Sequence, residues 1–154
     1  MRPGGGTDGL EDLVLRYGWF YGPGTYYADD GSTAQDVRRR RFPVIGKGTG
    51  RFSFIHVDDA AAATVAAVSH GALDVYNVVD DEPAPMREWL PAYAEAIGAK
   101  RPLRIPVWLA RLAAGPMAAL VNDQPGAANA KAKRELGWEP RWRSWREGFR
   151  EAPR

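Results

Sequence analysis

The stretch LVLRYGWFYGPG, residues 13–24, decides the fold. It starts with an apolar, β-prone run and continues through Tyr17, Trp19, Phe20 and Tyr21. Gly22-Pro23-Gly24 then stops it. A short apolar run closed by glycine and proline predicts a buried strand over 13–18. Strands of open α/β sheets present ligand-binding groups at their carboxyl ends. The aromatic end of this strand therefore predicts one lip of a binding crevice. The stretch lies near the start of the chain, so the other lip is expected elsewhere.

The rest of the chain supplies partners for that strand. RFSFIHV (51–57) alternates, with Phe52, Phe54 and His56 on one face and Ser53, Ile55 and Val57 on the other. Asp58 is placed to cap the helix DDAAAATVAAVSH, and Gly71 to end it. Its small residues let a helix lie close to a sheet. VYNVV (75–79) predicts a further strand, and PVIG (43–46) a short one. TAQDVRRRRF predicts a helix capped by Ser32 or Thr33. In EPAPMREWLPAYAEAIGA, Met86, Trp89, Leu90, Tyr93 and Ile97 share a helical face, and Pro91 interrupts it. IPVWLARLAAGPMAAL predicts a helix broken at Gly115-Pro116. ANAKAKRELGW predicts a short helix stopped by Gly137, and Ser144 and Glu147 have capping-box spacing. The fold class is α/β: an incomplete Rossmann-like parallel sheet of about three strands with a C-terminal helical cap. Residues 1–9 are expected as a flexible tail and 10–154 as a single α/β domain.

Composition narrows the function. With 154 residues, 45% hydrophobic and 26% charged, the chain can bury one sizeable core. A net charge of +2 is too small to point to a polyanion partner. There is no cysteine, hence no disulfide and no thiolate chemistry. The polar, glycine-rich start does not read as a signal peptide. The most apolar region is broken by Arg111 and Gly115-Pro116, so no membrane span is expected. A reducing cytoplasm is the expected location.

Several motifs have plain structural readings. Gly4, Gly6 and Gly9 match G-x-G-x-x-G, but a dinucleotide loop must follow a strand and open a helix, and this one does neither. GKGTG (46–50) reads as a turn between strands. The four arginines of VRRRRF point around a helix and cannot all face one groove, which favours a solvated helix end over nucleic-acid binding. His56, among phenylalanines, reads as a structural imidazole more readily than as an acid or base. Asp58-Asp59 has no further ligand at metal spacing, so no metal site is expected. The tryptophans, Trp89, Trp108 and Trp138 among them, read as packing residues. No nucleophile constellation is present.

Four segments in order carry a resemblance. They are RYGWFYGPG, FIHVDDAAAATVAAV, VYNVVDDEP and KAKRELGWEP. Together they resemble the extended short-chain dehydrogenases/reductases, the NAD(P)-dependent epimerase/dehydratase family, over about residues 10 to 150. The resemblance implies the C-terminal, substrate-binding half of such an enzyme. Tyr17 and Gly18 would be the remnant nicotinamide side. Trp19, Tyr21, Phe52, Phe54 and His56 would face substrate, under a C-terminal helical substrate cap. The family's phosphate loop and Tyr-x-x-x-Lys pair are not found. None of Tyr17, Tyr21, Tyr26, Tyr27, Tyr76 and Tyr93 has Lys four residues on. No catalytic residue is therefore assigned. NAD(P) serves the complete family, and none is expected to bind tightly to this chain alone.

Departures from the family pattern sharpen the substrate. Many nucleotide-sugar members carry Asn at the position of Trp19. They carry Arg four residues before the motif histidine, where Phe52 stands with Arg51 one place off. They also carry Arg-Pro-Gly-Asp where Gln124-Pro125-Gly126 is the nearest match. A diphosphate needs fixed cationic donors, so a small apolar molecule is the expected ligand. The expected protein is a truncated epimerase/dehydratase or oxidoreductase, not redox-active alone. It would work with an N-terminal-half partner or as a homo-oligomer. A redox-independent, cyclase- or isomerase-like enzyme and a small-molecule binding module are the alternatives.

Overall fold

Gly18 is where the chain changes partners. The computed structural model describes residues 12–151, apart from the side chains of Met117 and Ala119. Before Gly18, strand β1 (Val14–Tyr17) pairs in parallel with residues 75–78. After it, β2 (Trp19–Tyr21) pairs in parallel with residues 54–56. The Gly18 N–H donates to the Val78 carbonyl at 3.0 Å, and the Trp19 N–H donates to the Ser53 carbonyl at 2.8 Å. A Cβ on Gly18 would lie 2.6 Å from that Ser53 oxygen, so only glycine fits the switch.

The chain continues through α1 (Ser32–Arg38), β3 (Val44–Ile45), β4 (Arg51–Phe52) and β5 (Phe54–His56). The long helix α2 (Val57–His70) leads to β6 (Val75–Val78), β7 (Ala84–Pro85), α3 (Met86–Ala96) and β8 (Arg104–Ile105). The helical part follows: α4 (Val107–Ala114), α5 (Met117–Leu120), a 3-10 turn over Val121–Asp123, α6 (Ala130–Leu136) and α7 (Trp145–Glu151). The β1–β6 and β2–β5 ladders join where the Asp80 N–H donates to the Phe54 carbonyl at 2.7 Å. Small ladders pair β3 with β8 in parallel and β4 with β7 antiparallel. This is the incomplete Rossmann-like parallel sheet with C-terminal helices that the sequence predicts.

Alternation along 52–55 divides the core. Phe52 and Phe54 join a cluster with Tyr27, Trp89, Tyr93, Trp145 and Phe149. Ile55 faces the other way, into Ala60, Ala63, Ala67, Tyr76, Val78, Ala132 and Leu136. Burying each large apolar side chain contributes about 1.5–3 kcal/mol. The buried alanines of α2 let it lie against the sheet and α6.

Several local expectations are corrected. The strand over 51–57 breaks at Ser53, because its Oγ accepts from the Ala127 N–H at 2.8 Å and its carbonyl is taken by Trp19. β1 is half exposed, not buried: among the described residues it has one ladder partner, and Val14 is 44% exposed. The cap of α2 is His56, whose Nδ1 accepts from the Asp58 N–H at 3.2 Å; Asp58 itself sits in the first turn. Asp59 is buried and accepts from the N–H groups of Arg141 and Trp142 at 2.9 and 3.0 Å. The helix expected to run to Phe42 ends at Arg38, and its N-cap is Gly31 rather than Ser32 or Thr33. Gly71 ends α2 without a left-handed turn. Trp108 is 65% exposed on α4, so it is no packing residue of this core. Ser144 caps α7 by accepting from the Arg146 N–H, one residue earlier than in a capping box. Gly115 and Gly137 break the chain where expected, with φ of 70° and 61°. The tail and the glycines at 4, 6 and 9 lie outside the described residues.

Candidate functional site

The ends of β1 and β6 open into a crevice of about 520 Å³. Tyr17, Gly18 and Trp19 line it from β1 and β2, Asn77 and Val79 from the neighbouring strand, and Ser53 from the break in the third. Residues 124–127 form the facing wall. Backbone contacts hold that wall in place. The Arg51 N–H donates to the Gln124 carbonyl at 2.8 Å, and Arg51 bridges to Pro125. The Arg51 guanidinium donates to the Pro83 carbonyl at 2.5 Å. Gly126 has φ of 75°, and a Cβ there would press on Pro83 at 3.0 Å, so the turn favours glycine.

A second cavity, of about 600 Å³, lies under the helical part. Its walls are largely aromatic and aliphatic: Trp19, Tyr26, Tyr27, Phe42, Phe52 and Met86 on one side, with Ile105 and the small residues of α4 and α5. Trp19 and Gln124 line both spaces. Trp19 is 47% exposed, and its ring centroid is 6.0 Å from that of Phe52. Trp19 therefore stands where the crevice passes into the aromatic cavity.

Among the residues singled out by sequence, Tyr17, Gly18, Trp19 and Phe52 meet in these two spaces. Phe54 and His56 line neither. Phe54 is fully buried, 5.2 Å from the Trp89 ring and 5.5 Å from the Tyr27 ring. His56 is 4% exposed and stacks on Trp142 at 3.7 Å. Burial lowers its pKa, which keeps the ring neutral and able to accept from Asp58. Tyr21 is fully buried and borders a different cavity, with Asp29, Arg38 and Tyr93. Burial raises its phenol far above the ordinary range.

Sequence reasoning missed Tyr26, Tyr27, Arg41 and Phe42 as lining residues. No local spacing marks them, since they come from separate loops brought together by the core. It also missed Asp80. That carboxylate is buried and accepts from the Glu82 N–H at 3.1 Å and the Trp145 N–H at 2.8 Å. Burial pushes its pKa up to about 8, against the pull of both donors. Next to it, Asn129 donates to the Val79 carbonyl and to Asp81, and Lys133 pairs with Asp81 at 3.0 Å. These contacts fix the start of α6 and α7 to the strand that borders the crevice.

No group of three or more His, Cys, Asp or Glu that could hold a metal ion occurs among the described residues. No helix among them is long and apolar enough to cross a membrane.

Comparison with known proteins agrees with this arrangement. The family model described as "NAD dependent epimerase/dehydratase family" matches residues 6–79. A Streptomyces sp protein named 3-diazoavenalumate denitrifying reductase is 49% identical over 141 residues, which cover 91% of this chain and 46% of that protein. The chain thus spans about half the length of that relative. A human epimerase family protein solved with NADPH superposes with a TM-score of 0.71 at 20% identity, over 91% of this chain and 47% of that one. A Thermotoga maritima UDP-glucose 4-epimerase solved with UDP-glucose gives 0.64 at 25% identity, over 91% and 44%. The ordered sequence segments, the parallel strands opening on a shared crevice and these matches support one conclusion: the chain is similar to the NAD dependent epimerase/dehydratase family, whose model matches its residues 6–79.

Proposed function

We propose that this chain is the substrate-binding half of a reductase of this family, and that its substrate is an aromatic, largely apolar molecule rather than a nucleotide sugar. The observation that carries the reading is Trp19, whose indole walls both the crevice and the aromatic cavity. The cavity offers flat apolar faces, which bind a planar ring by stacking and by exclusion of water. Among the described residues, its wall carries a single cation, Arg41, and not the several fixed donors that would clamp a diphosphate. The relative at 49% identity is named as a reductase of 3-diazoavenalumate, in keeping with a non-sugar substrate.

The crevice suits the nicotinamide end of the family's cofactor. It is bounded by Tyr17, Gly18 and Trp19, with Arg16, Arg51 and Asn77 as its polar neighbours. When bound, NAD(P)H supplies a hydride. This chain's own residues shape the wall, order the substrate ring and exclude water. By itself the chain holds NAD(P) weakly and carries out no redox turnover, and it works with an N-terminal half or a second copy.

Titration of the chain with cinnamyl alcohol, UDP-glucose and NADPH, followed by tryptophan fluorescence and calorimetry, tests the reading. Saturable quenching by the aromatic alcohol is expected, with weak responses to the other two. Low-micromolar binding of UDP-glucose would overturn the substrate assignment, and low-micromolar NADPH the cofactor one.

A further inference from the structure

We propose that the aromatic cavity takes an aromatic carboxylate and that Arg41 holds its anionic end. This makes Arg41 the residue that sets ligand charge at the site. The inference rests on the reading of this cavity as the substrate site.

Among the described residues, Arg41 is the one charged residue on the cavity wall, and it lines that cavity without reaching the crevice. Two other members of the arginine run are engaged elsewhere. Arg38 pairs with Asp29, and the Arg40 guanidinium donates to the Arg101 carbonyl at 3.3 Å. The Arg41 side chain makes no ion pair and no hydrogen bond among the described residues.

The backbone sets its position. Arg40 has φ of 59° and is the only non-glycine residue in the left-handed region among the described residues. That conformation disfavours residues with a Cβ and persists only when surrounding contacts hold it. Here the Arg41 N–H donates to the Asp36 carbonyl at 2.8 Å, closing the end of α1. The turn takes Arg41, Phe42 and Pro43 off the helix and onto the cavity wall. A cation on the same wall as Phe42 and Pro43, in a cavity also lined by Tyr26, matches a ligand with a flat apolar body and one anionic end. A guanidinium recognises a carboxylate through paired, charge-assisted hydrogen bonds. The opposite end of such a ligand then lies toward Trp19 and Gln124, where the cavity meets the crevice.

The test compares trans-cinnamate with cinnamamide, which differ in charge and little in shape. Both are titrated by fluorescence into the wild-type chain, Arg41→Gln and Arg41→Lys, with circular dichroism to check folding. The wild type should bind cinnamate more tightly than cinnamamide. Arg41→Gln should weaken cinnamate about tenfold and leave cinnamamide unchanged, as expected for one charge-assisted contact. Arg41→Lys should retain part of the preference. Equal affinities in the wild type, or an Arg41→Gln variant with unchanged cinnamate binding, would overturn the role of Arg41 and leave the aromatic site standing. Failure of both ligands to bind would overturn the cavity reading, and this inference with it.

Discussion

Trp19 and Phe52 face each other with ring centroids 6.0 Å apart, and each lines the aromatic cavity. The pair joins the strand that changes partners at Gly18 to the strand that breaks at Ser53. Trp19 is 47% exposed, so truncating it removes little buried area. Trp19→Ala should cost less than about 1 kcal/mol of stability. It should weaken aromatic ligands by about tenfold, because an aromatic wall is lost. Urea denaturation and fluorescence titration read the two effects separately, and a large stability loss with unchanged binding would contradict the assignment.

His56 caps α2 and stacks on Trp142. Its pKa is lowered in the folded state, so the unfolded chain binds the proton more tightly. The stability from this group is complete above the unfolded value, about 6.5. It falls as pH drops below that value. Wild-type stability should show this acid-side loss in urea denaturation series, and His56→Asn should remove it. Asn can still accept from Asp58, so the cap survives while the titration does not.

Asp80 has the opposite sign. Its folded pKa is raised to about 8. Its contribution is fully present below the unfolded carboxylate value, about 3.9, and is lost as pH rises through about 8. Asp80→Asn should flatten the decline between about pH 4 and about pH 8. The same substitution weakens one of the two N–H contacts, to Glu82 or Trp145, so the variant should be less stable than wild type at pH 5. Denaturation at pH 5 and pH 9 distinguishes the two effects; parallel pH profiles would refute the titration assignment.

Gly18 leaves no room for a side chain, since a Cβ there would stand 2.6 Å from the Ser53 carbonyl oxygen. Gly18→Ala should destabilise the chain by about 1–3 kcal/mol, the usual cost of forcing atoms into a packed site. Thermal unfolding gives the measure, and a neutral result would show that the β1–β2 junction can shift.

The second edge of β1 is expected to act as a pairing site. Among the described residues it has one ladder partner, and Val14 is 44% exposed. Unpaired edges invite association. Light scattering should show concentration-dependent growth in mass. A monomer throughout the concentration range would argue against an edge-mediated partner.

Much of this architecture was legible in the sequence. The glycine and proline stops at 22–24, 115 and 137 fall where the chain turns or its helices end, because these residues act through local backbone geometry. The alternation of Phe52, Phe54 and Ile55 correctly sorted two core faces, because a strand's side chains have period two. Caps were less legible. His56 displaced Asp58 as the cap of α2, and Asp59 turned inward to hold the 141–142 backbone, choices that depend on a segment about eighty residues away.

The sequence by itself determined the family resemblance and the α/β class, since these follow from local order and motif spacing. Only the tertiary structure decided that Phe54 and His56 are core residues and that Tyr26, Phe42 and Arg41 line the cavity. Which side of a strand or loop meets solvent is set by what packs against it, and those neighbours come from distant parts of the chain.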